Sequence, residues 1–160
     1  MVERLKQMLI RHEGWRKMPY RCPAGRLTIG VGWNMESNQM PDDIASYLRF
    51  HGHITDEMID RLLNISIEAA THHCRNIYPQ FDSFSENRRF ALIDFIFNVG
   101  VGTALKFVNT NKAIREGRWK DAANSIKKSL YFKQLGGDPP GADDGRLERP
   151  EEIARMIEEG

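Results

Sequence analysis

The run from Phe90 to Phe97, which reads Phe-Ala-Leu-Ile-Asp-Phe-Ile-Phe, constrains the fold more than any other segment of the chain. If it is a helix, its side chains are apolar in nearly every direction, and a helix of that kind lies in the middle of a core. Ser85 is placed to cap the start of this helix, and Gly100 and Gly102 are placed to stop it. The segment therefore predicts a helical lobe with this helix at its centre.

Further helical patterns lie on both sides of the central run. Residues 2–12 have apolar side chains at helical spacing, and Gly14 follows as a left-handed C-terminal glycine would. Thr55 is expected to cap a long helix over about residues 55–77, which ends before Pro79. The remaining predicted helices are a short one starting near Pro41, two near 104–116 and 118–131 separated by Gly117, and a last one with Pro150 in its first turn, after a polar loop over 134–147.

Residues 15–36 differ in character, because prolines and glycines interrupt any helix there. Leu27–Ile29 and Val31–Trp33 have the pattern of short β-strands around turns. The predicted fold class is therefore α+β, mostly α, in a single domain over residues 1–160. Its parts are a small β-containing N-terminal lobe at about 13–55, a connecting helix at about 55–77, and a helical lobe at about 78–160 together with helix 1–12.

Charge and hydropathy exclude several classes of protein. The chain has 160 residues and a formal net charge of +1, made of about +6 over residues 1–135 and −5 over residues 136–160. No window combines dense Lys and Arg with aromatic side chains, so no nucleic-acid partner is expected. No run approaches the roughly 20 apolar residues of a membrane span, and the N-terminus lacks a secretory signal. Synthesis in the cytoplasm is therefore expected. If the target lies beyond the membrane, the protein needs another route out of the cell.

Neither the cysteines nor the histidines form a metal-binding pattern. The two cysteines, Cys22 and Cys74, are not part of a CxxC pair, and His51 and His53 have no third ligand at a recognisable spacing. The sequence also lacks the glycine-rich phosphate-binding fingerprints, since Gly30 and Gly32 belong to neither of them. No cofactor and no metal are expected.

Three residues near the N-terminus have side chains suited to chemistry. Glu13 lies where the first helix should end, eight residues separate it from Cys22, and five residues separate Cys22 from Thr28. The thiol is followed by Pro23, and Thr28 begins Thr-Ile-Gly-Val-Gly. This spacing resembles the catalytic triad of phage-type lysozymes, glycoside hydrolase family 24. The family's motif is Glu-x8-Asp-or-Cys-x5-Thr, and its Thr begins a Thr-Ile-Gly-x-Gly strand.

A second block of the sequence agrees with that resemblance. Phe97-Asn98-Val99-Gly100 is similar to the segment that ends the family's central helix, and residues 117–123 are similar to the start of a later one. Leu135-Gly136-Gly137 and Arg149-x-x-Glu152 resemble the family's ending more loosely. The resemblance covers nearly the whole chain, although Trp33 stands where relatives often have histidine.

The resemblance implies hydrolysis of the β-1,4 bond between N-acetylmuramic acid and N-acetylglucosamine in bacterial peptidoglycan. Glu13 would be the general acid, with Cys22 and Thr28 assisting on the water side. It also implies a bacteriolytic, endolysin-like role, a monomer, and a holin-type release partner without direct contact. Residues that fall where relatives touch the glycan are Phe97, Thr110 and Ser125.

Other functions stay open from the sequence. A lytic transglycosylase would use Glu13 alone and needs no positioned water. A cysteine peptidase acting on the peptide stems would use Cys22 as nucleophile, although no local signature supports it. Its base would be one of His51, His53, His72 and His73. An inactive wall-binding or structural module with a lysozyme fold is the fourth possibility.

Overall fold

The computed structural model describes residues 2–129 and 148–160, and it confirms a mostly helical α+β fold. The chain divides into two compact units, Met1–Ala69 and Ala70–Gly160, and the division falls within one long helix. The lobe boundaries expected from the sequence stay a prediction. Within the described residues, no helix has both the length and the apolar character needed to cross a bilayer.

The first unit combines three helical segments with a small sheet. Its elements are α1 (Val2–Glu13), β1 (Arg16–Arg21), β2 (Leu27–Gly30), β3 (Trp33–Asn34), α2 (Asp42–His51) and the first part of α3 (Asp56–Ile77). Thr55 caps α3 as predicted, since its hydroxyl accepts the Met58 N–H at 3.2 Å. An ion pair of 2.6 Å between Lys6 and Asp60 links the first half of α1 to α3.

The sheet is antiparallel with the strand order β1-β2-β3. Strand β1 was not predicted, because it contains Pro19 and shows no alternation of apolar side chains. Proline is tolerated there because β1 is an edge strand with a bulge, in which the three residues between Arg16 and Tyr20 face the single residue between Gly30 and Thr28. The predicted strand over Val31–Trp33 is wrong in part, since residues 31 and 32 form the turn between β2 and β3.

The second unit is helical in its described residues. Its elements are the remainder of α3, a 3₁₀ turn (Phe81–Ser83), α4 (Glu86–Val99), α5 (Val101–Leu105), α6 (Val108–Arg115), α7 (Trp119–Lys127) and α8 (Arg149–Glu159). Ser85 caps α4 by accepting the Arg88 N–H, and Pro150 lies in the first turn of α8, as predicted for both. The loop predicted over 134–147, including Leu135-Gly136-Gly137, lies outside the described residues.

The predicted helix over 104–116 is wrong, because two helices, α5 and α6, occupy this region. Gly102 does not stop a helix but lies inside α5. The corner between the two helices is held by Asn111, whose amide donates to the Ala104 carbonyl at 2.9 Å and accepts from the buried Tyr78 hydroxyl at 2.6 Å. Tyr78 is distant in sequence, so this break has no local signal.

Helix α4 is the centre of the second unit, as its composition predicted. Residues 90–96 are all buried. Asp94 is fully buried among them and is paired with the guanidinium of Arg149 from α8, whose Nε donates at 3.0 Å. A buried carboxylate needs such a partner, because transferring it from water into the core without a partner costs several kcal/mol.

Candidate active site

Glu13 is the last residue of α1, and the chain turns from this helix into β1 immediately after it. Gly14 has a φ of +84° and donates its N–H to the Ile10 carbonyl at 2.8 Å, so the helix ends in a left-handed glycine as predicted. The Glu13 side chain is half-buried. It is thereby presented at the junction of the helix and the sheet.

The carboxyl group of Glu13 packs directly against the backbone of Gly32. A Cβ atom placed on Gly32 would lie 3.0 Å from both Cδ and Oε2 of Glu13, tighter than nine in ten real Cβ contacts. Gly32 has a φ of +67° in the β2–β3 turn, a conformation that glycine adopts without steric cost. Gly32 is therefore required twice, by the turn and by the carboxyl group beside it.

The segment after Glu13 is tied to the start of α3 through Asp56. The indole N–H of Trp15 donates to Asp56 at 2.9 Å, and Lys17 forms an ion pair with the same carboxylate at 3.3 Å. The Ile54 N–H donates to the Lys17 carbonyl at 2.9 Å. These contacts fix the path of the chain on which Glu13 is presented.

Cys22 lies in the tight loop between β1 and β2. Its N–H donates to the Arg26 carbonyl at 3.0 Å, and its own carbonyl accepts the Gly25 N–H at 2.7 Å. Gly25 has a φ of +78°, which explains a glycine at this corner. The Arg21 side chain donates to the Gly25 carbonyl at 2.8 Å and holds the loop from outside. The half-exposed thiol therefore has a well-defined position.

Thr28 lies beside Cys22 on β2. Its side chain is within hydrogen-bond distance of the Cys22 sulfur, and its hydroxyl donates to the Arg26 carbonyl at 2.9 Å. Only 4% of Thr28 is exposed. The structure thus brings these two sequence-predicted residues into contact.

The surroundings of Cys22 favour the thiolate. Burial acts to raise the pKa of the thiol, but hydrogen bonds from the backbone N–H groups of Arg26 and Ala24, the hydrogen bond with Thr28 and the charge of Arg26 together lower the pKa below its ordinary value. Cys74 is the opposite case, because complete burial raises its pKa. Both cysteines are free thiols.

Tyr20 is a neighbour of this cluster that sequence reasoning missed. Burial, the charge of Glu13 and, to a smaller extent, the charge of Cys22 raise the pKa of Tyr20, while the Arg16 guanidinium opposes the shift. The phenol is thus within electrostatic range of both candidate catalytic residues. The signal for it was the strand β1, which contains Tyr20 and ends just before Cys22; that strand was not recognised.

The three candidate glycan-binding residues lie in the second unit. Phe97 is half-buried in the last turn of α4. Thr110 of α6 is buried, and its hydroxyl donates to the Ser125 hydroxyl of α7 at 2.8 Å. Two residues predicted separately, 15 positions apart, are therefore hydrogen-bonded, and the half-buried Ser125 is the more accessible of them.

The histidines form ring contacts. The rings of Tyr47 and His51 are 4.1 Å apart between centroids, and His53 packs edge-on against Tyr47 at 5.9 Å. His72 and His73 are neighbours on α3, with ring centroids 6.0 Å apart. Among the described residues, no group of three or more His, Cys, Asp or Glu side chains is arranged to hold a metal ion.

A mostly helical α+β fold with a half-buried carboxyl group at the end of its first helix fits a glycosidase of the lysozyme type. The phage lysozyme family model matches residues 10–143, and the chain belongs to this family. It is therefore a glycoside hydrolase that acts on peptidoglycan.

Known proteins similar to the chain come from two very different sources. It is 28% identical to "Probable T4-type lysozyme 2" and 26% identical to "Probable T4-type lysozyme 1" of Dictyostelium discoideum, each over 84% of this chain and 88% of the relative. It is also 25% identical to "Pre-baseplate central spike protein Gp5" of Enterobacteria phage T4, over 83% of this chain and 26% of that protein.

Proposed function

We propose that the chain hydrolyses the β-1,4 bond between N-acetylmuramic acid and N-acetylglucosamine, with Glu13 as the general acid and Cys22 and Thr28 on the water side. The observation that carries the proposal is the geometry of the first unit. A half-buried carboxyl group packs on Gly32, a thiol contacts a threonine hydroxyl, and both lie within electrostatic range of the same tyrosine, Tyr20.

Glu13 is suited to the acid step by its position. A group that protonates the leaving oxygen has to be held in one orientation, since general acid catalysis depends first on geometry. Packing against Gly32 restricts the carboxyl group on one side. Proton transfer from Glu13 to the glycosidic oxygen then accompanies cleavage of the bond to C1, through a transition state with oxocarbenium character.

Cys22 and Thr28 are suited to the water step. Because a hydroxyl carries one proton, Thr28 can donate either to the Arg26 carbonyl or to the Cys22 sulfur. When Cys22 is a thiolate, it can accept one proton from the attacking water, and the water oxygen forms the new bond to C1. Glu13 has by then lost its proton to the leaving sugar, so the proton count balances.

The candidate glycan contacts have separate roles in this proposal. The buried Thr110 hydroxyl donates its hydrogen bond to the Ser125 oxygen, which leaves the Ser125 O–H available to donate to a sugar oxygen. Phe97 offers part of its ring for contact with a sugar face. Thr110→Val should therefore weaken glycan binding less than Ser125→Ala does, with binding to a soluble peptidoglycan fragment as the measurement.

The decisive experiment is mass spectrometry of the fragments that the protein releases from purified peptidoglycan. Fragments with a reducing N-acetylmuramic acid, labelled at C1 when the reaction is run in H₂¹⁸O, support the proposal. Fragments one water lighter, with a 1,6-anhydro ring, would instead mean a lytic transglycosylase, in which Cys22 and Thr28 lose their roles. Cut peptides with intact glycan would point to Cys22 as a nucleophile, and an absence of fragments to a binding module.

The assignment of the acid is tested by Glu13→Gln with Glu3→Gln as its matched control. Glu3 is an exposed residue at the other end of the same helix. Removal of a catalytic acid typically costs 10²–10⁴-fold, so Glu13→Gln should lower kcat by at least two orders of magnitude while Glu3→Gln stays near wild type. A folded Glu13→Gln protein with near-normal activity would refute the role.

The role of the thiol is tested by Cys22→Asp. A carboxylate can accept the proton of the attacking water as the thiolate would. If the protein acts as a lysozyme, we therefore expect Cys22→Asp to keep or raise its activity. A cysteine peptidase would lose its nucleophile and become inactive. The two mechanisms therefore predict opposite results for a single variant.

A further inference from the structure

Tyr20 is the residue near the candidate active site to which neither the sequence motif nor the family match gives a role. It lies on β1 directly opposite Thr28 of β2, as a register pair of the antiparallel sheet. Directly opposed residues in such a pair project to the same face. Tyr20 therefore projects to the face on which Thr28 contacts Cys22.

The Tyr20 ring is held while its hydroxyl is left available. The Arg16 guanidinium lies 5.3 Å from the centroid of the ring, and the side chain is half-buried. Among the residues that the structure describes, the hydroxyl has no hydrogen-bond partner. A phenol that is fixed at its ring and unpaired at its oxygen can donate to a bound molecule at no cost to an internal contact.

The charges around Tyr20 determine which form of the phenol a ligand would meet. Burial, Glu13 and Cys22 raise the pKa of Tyr20 and outweigh Arg16, so the group keeps its proton at neutral pH. It is then a neutral donor. It cannot take the place of the acid or of the base, but it can bind a sugar hydroxyl or an acetamido oxygen.

We propose that the Tyr20 hydroxyl donates a hydrogen bond to the sugar whose glycosidic bond is cleaved, as a substrate-binding residue beside Glu13. This inference rests on the proposed function, in which Glu13 acts on the leaving oxygen and Cys22 and Thr28 act on the attacking water. Because Tyr20 is the register partner of Thr28 and projects to the same face of the sheet, its hydroxyl can reach a sugar held between the acid and the water side. Hydrogen bonds to sugar hydroxyls that strengthen in the transition state contribute to catalysis by glycosidases.

The variant Tyr20→Phe removes only the hydroxyl, and Tyr47→Phe is its matched control. Tyr47 is also half-buried, its ring also packs on a neighbouring side chain, and its hydroxyl also lacks a hydrogen-bond partner among the described residues. For Tyr20→Phe we expect kcat/KM on a soluble peptidoglycan fragment to fall about tenfold, which corresponds to one neutral hydrogen bond. For Tyr47→Phe we expect wild-type kinetics, and for both variants an unchanged Tm.

A second measurement separates binding from folding. The Glu13→Gln variant should cleave its substrate at least about 10²-fold more slowly than the wild type. When Tyr20→Phe is added to this variant, the affinity for the same fragment therefore measures the contact of the Tyr20 hydroxyl with uncleaved substrate. A loss of kcat/KM or of affinity with an unchanged Tm supports the proposal. Wild-type kinetics and affinity for Tyr20→Phe would overturn it, as would a kinetic loss matched by a fall in Tm. If the wild-type protein releases no reducing fragments, the proposed function itself fails, a result distinguishable from failure of Tyr20.

Discussion

Substitution of Gly32 by alanine should displace the carboxyl group of Glu13, the candidate general acid, while Glu13 itself is unchanged. Two effects follow from the structure. The φ of +67° is unfavourable for any residue with a Cβ, at about 1–2 kcal/mol. The new methyl group would also lie 3.0 Å from Cδ and Oε2 of Glu13, well inside ordinary van der Waals contact. Because the new methyl group is fixed to the backbone, the Glu13 carboxyl group has to move by a few tenths of an ångström.

Gly32→Ala should lower both activity and stability. A displacement of about 1 Å in a catalytic group can cost about 10²-fold in rate, so a displacement of a few tenths of an ångström should lower kcat by about tenfold. The free energy of unfolding should fall by about 1–2 kcal/mol. For a domain of this size that is a decrease in Tm of about 2–8 °C.

Gly52→Ala is the matched control, since Gly52 ends α2 with a φ of +71° and an added Cβ would meet nothing within 4 Å. It should show a similar loss of stability with wild-type kcat. The assays are clearance of purified peptidoglycan for kcat and denaturant unfolding for stability. Equal activity of the two variants at comparable stability would refute the idea that contact with Gly32 positions Glu13.

The remaining predictions concern the second unit and the thiols. Arg149→Met should lower the free energy of unfolding by about 3–5 kcal/mol, because it leaves the buried Asp94 without its guanidinium. Arg61→Met breaks an exposed ion pair and should lower the free energy of unfolding far less; equal losses in denaturant unfolding would contradict this. A thiol reagent should modify Cys22 but not the fully buried Cys74 in the native protein. Since the pKa of Cys22 is lowered and the thiolate is the reactive form, its alkylation rate should rise with pH and reach half of its maximum below the pH found for an unstructured cysteine peptide. Modification of two thiols per native chain, or a midpoint above that of the peptide, would be the contrary result.

The helix boundaries that the sequence predicted correctly depend on local chemistry. Thr55 and Ser85 cap helices through hydrogen bonds to N–H groups three residues ahead, and Gly14 ends α1 with a positive φ. Such contacts lie within four residues of the chain, so residue type and spacing are enough to predict them. The apolar run of α4 was equally informative, because a helix with no polar face has to be buried.

The errors fall where distant residues decide the conformation. Strand β1 exists because β2 pairs with it and a bulge accommodates Pro19, and nothing in its own sequence alternates. The break between α5 and α6 depends on Asn111, which is oriented by Tyr78 from 33 positions away. Local patterns carry no information on either contact, since both form only when the chain has folded.

The candidate site shows the same division. Sequence by itself supplied the residue types and spacing of Glu13, Cys22 and Thr28, because a carboxylic acid, a thiol and a hydroxyl are chemically distinct wherever they lie. Only the tertiary structure decided that Gly32 confines the carboxyl group, that the thiol is stabilised as thiolate, and that Tyr20 joins the cluster. Those properties are set by distances between atoms on different strands and helices, and the pairing of the strands fixes those distances.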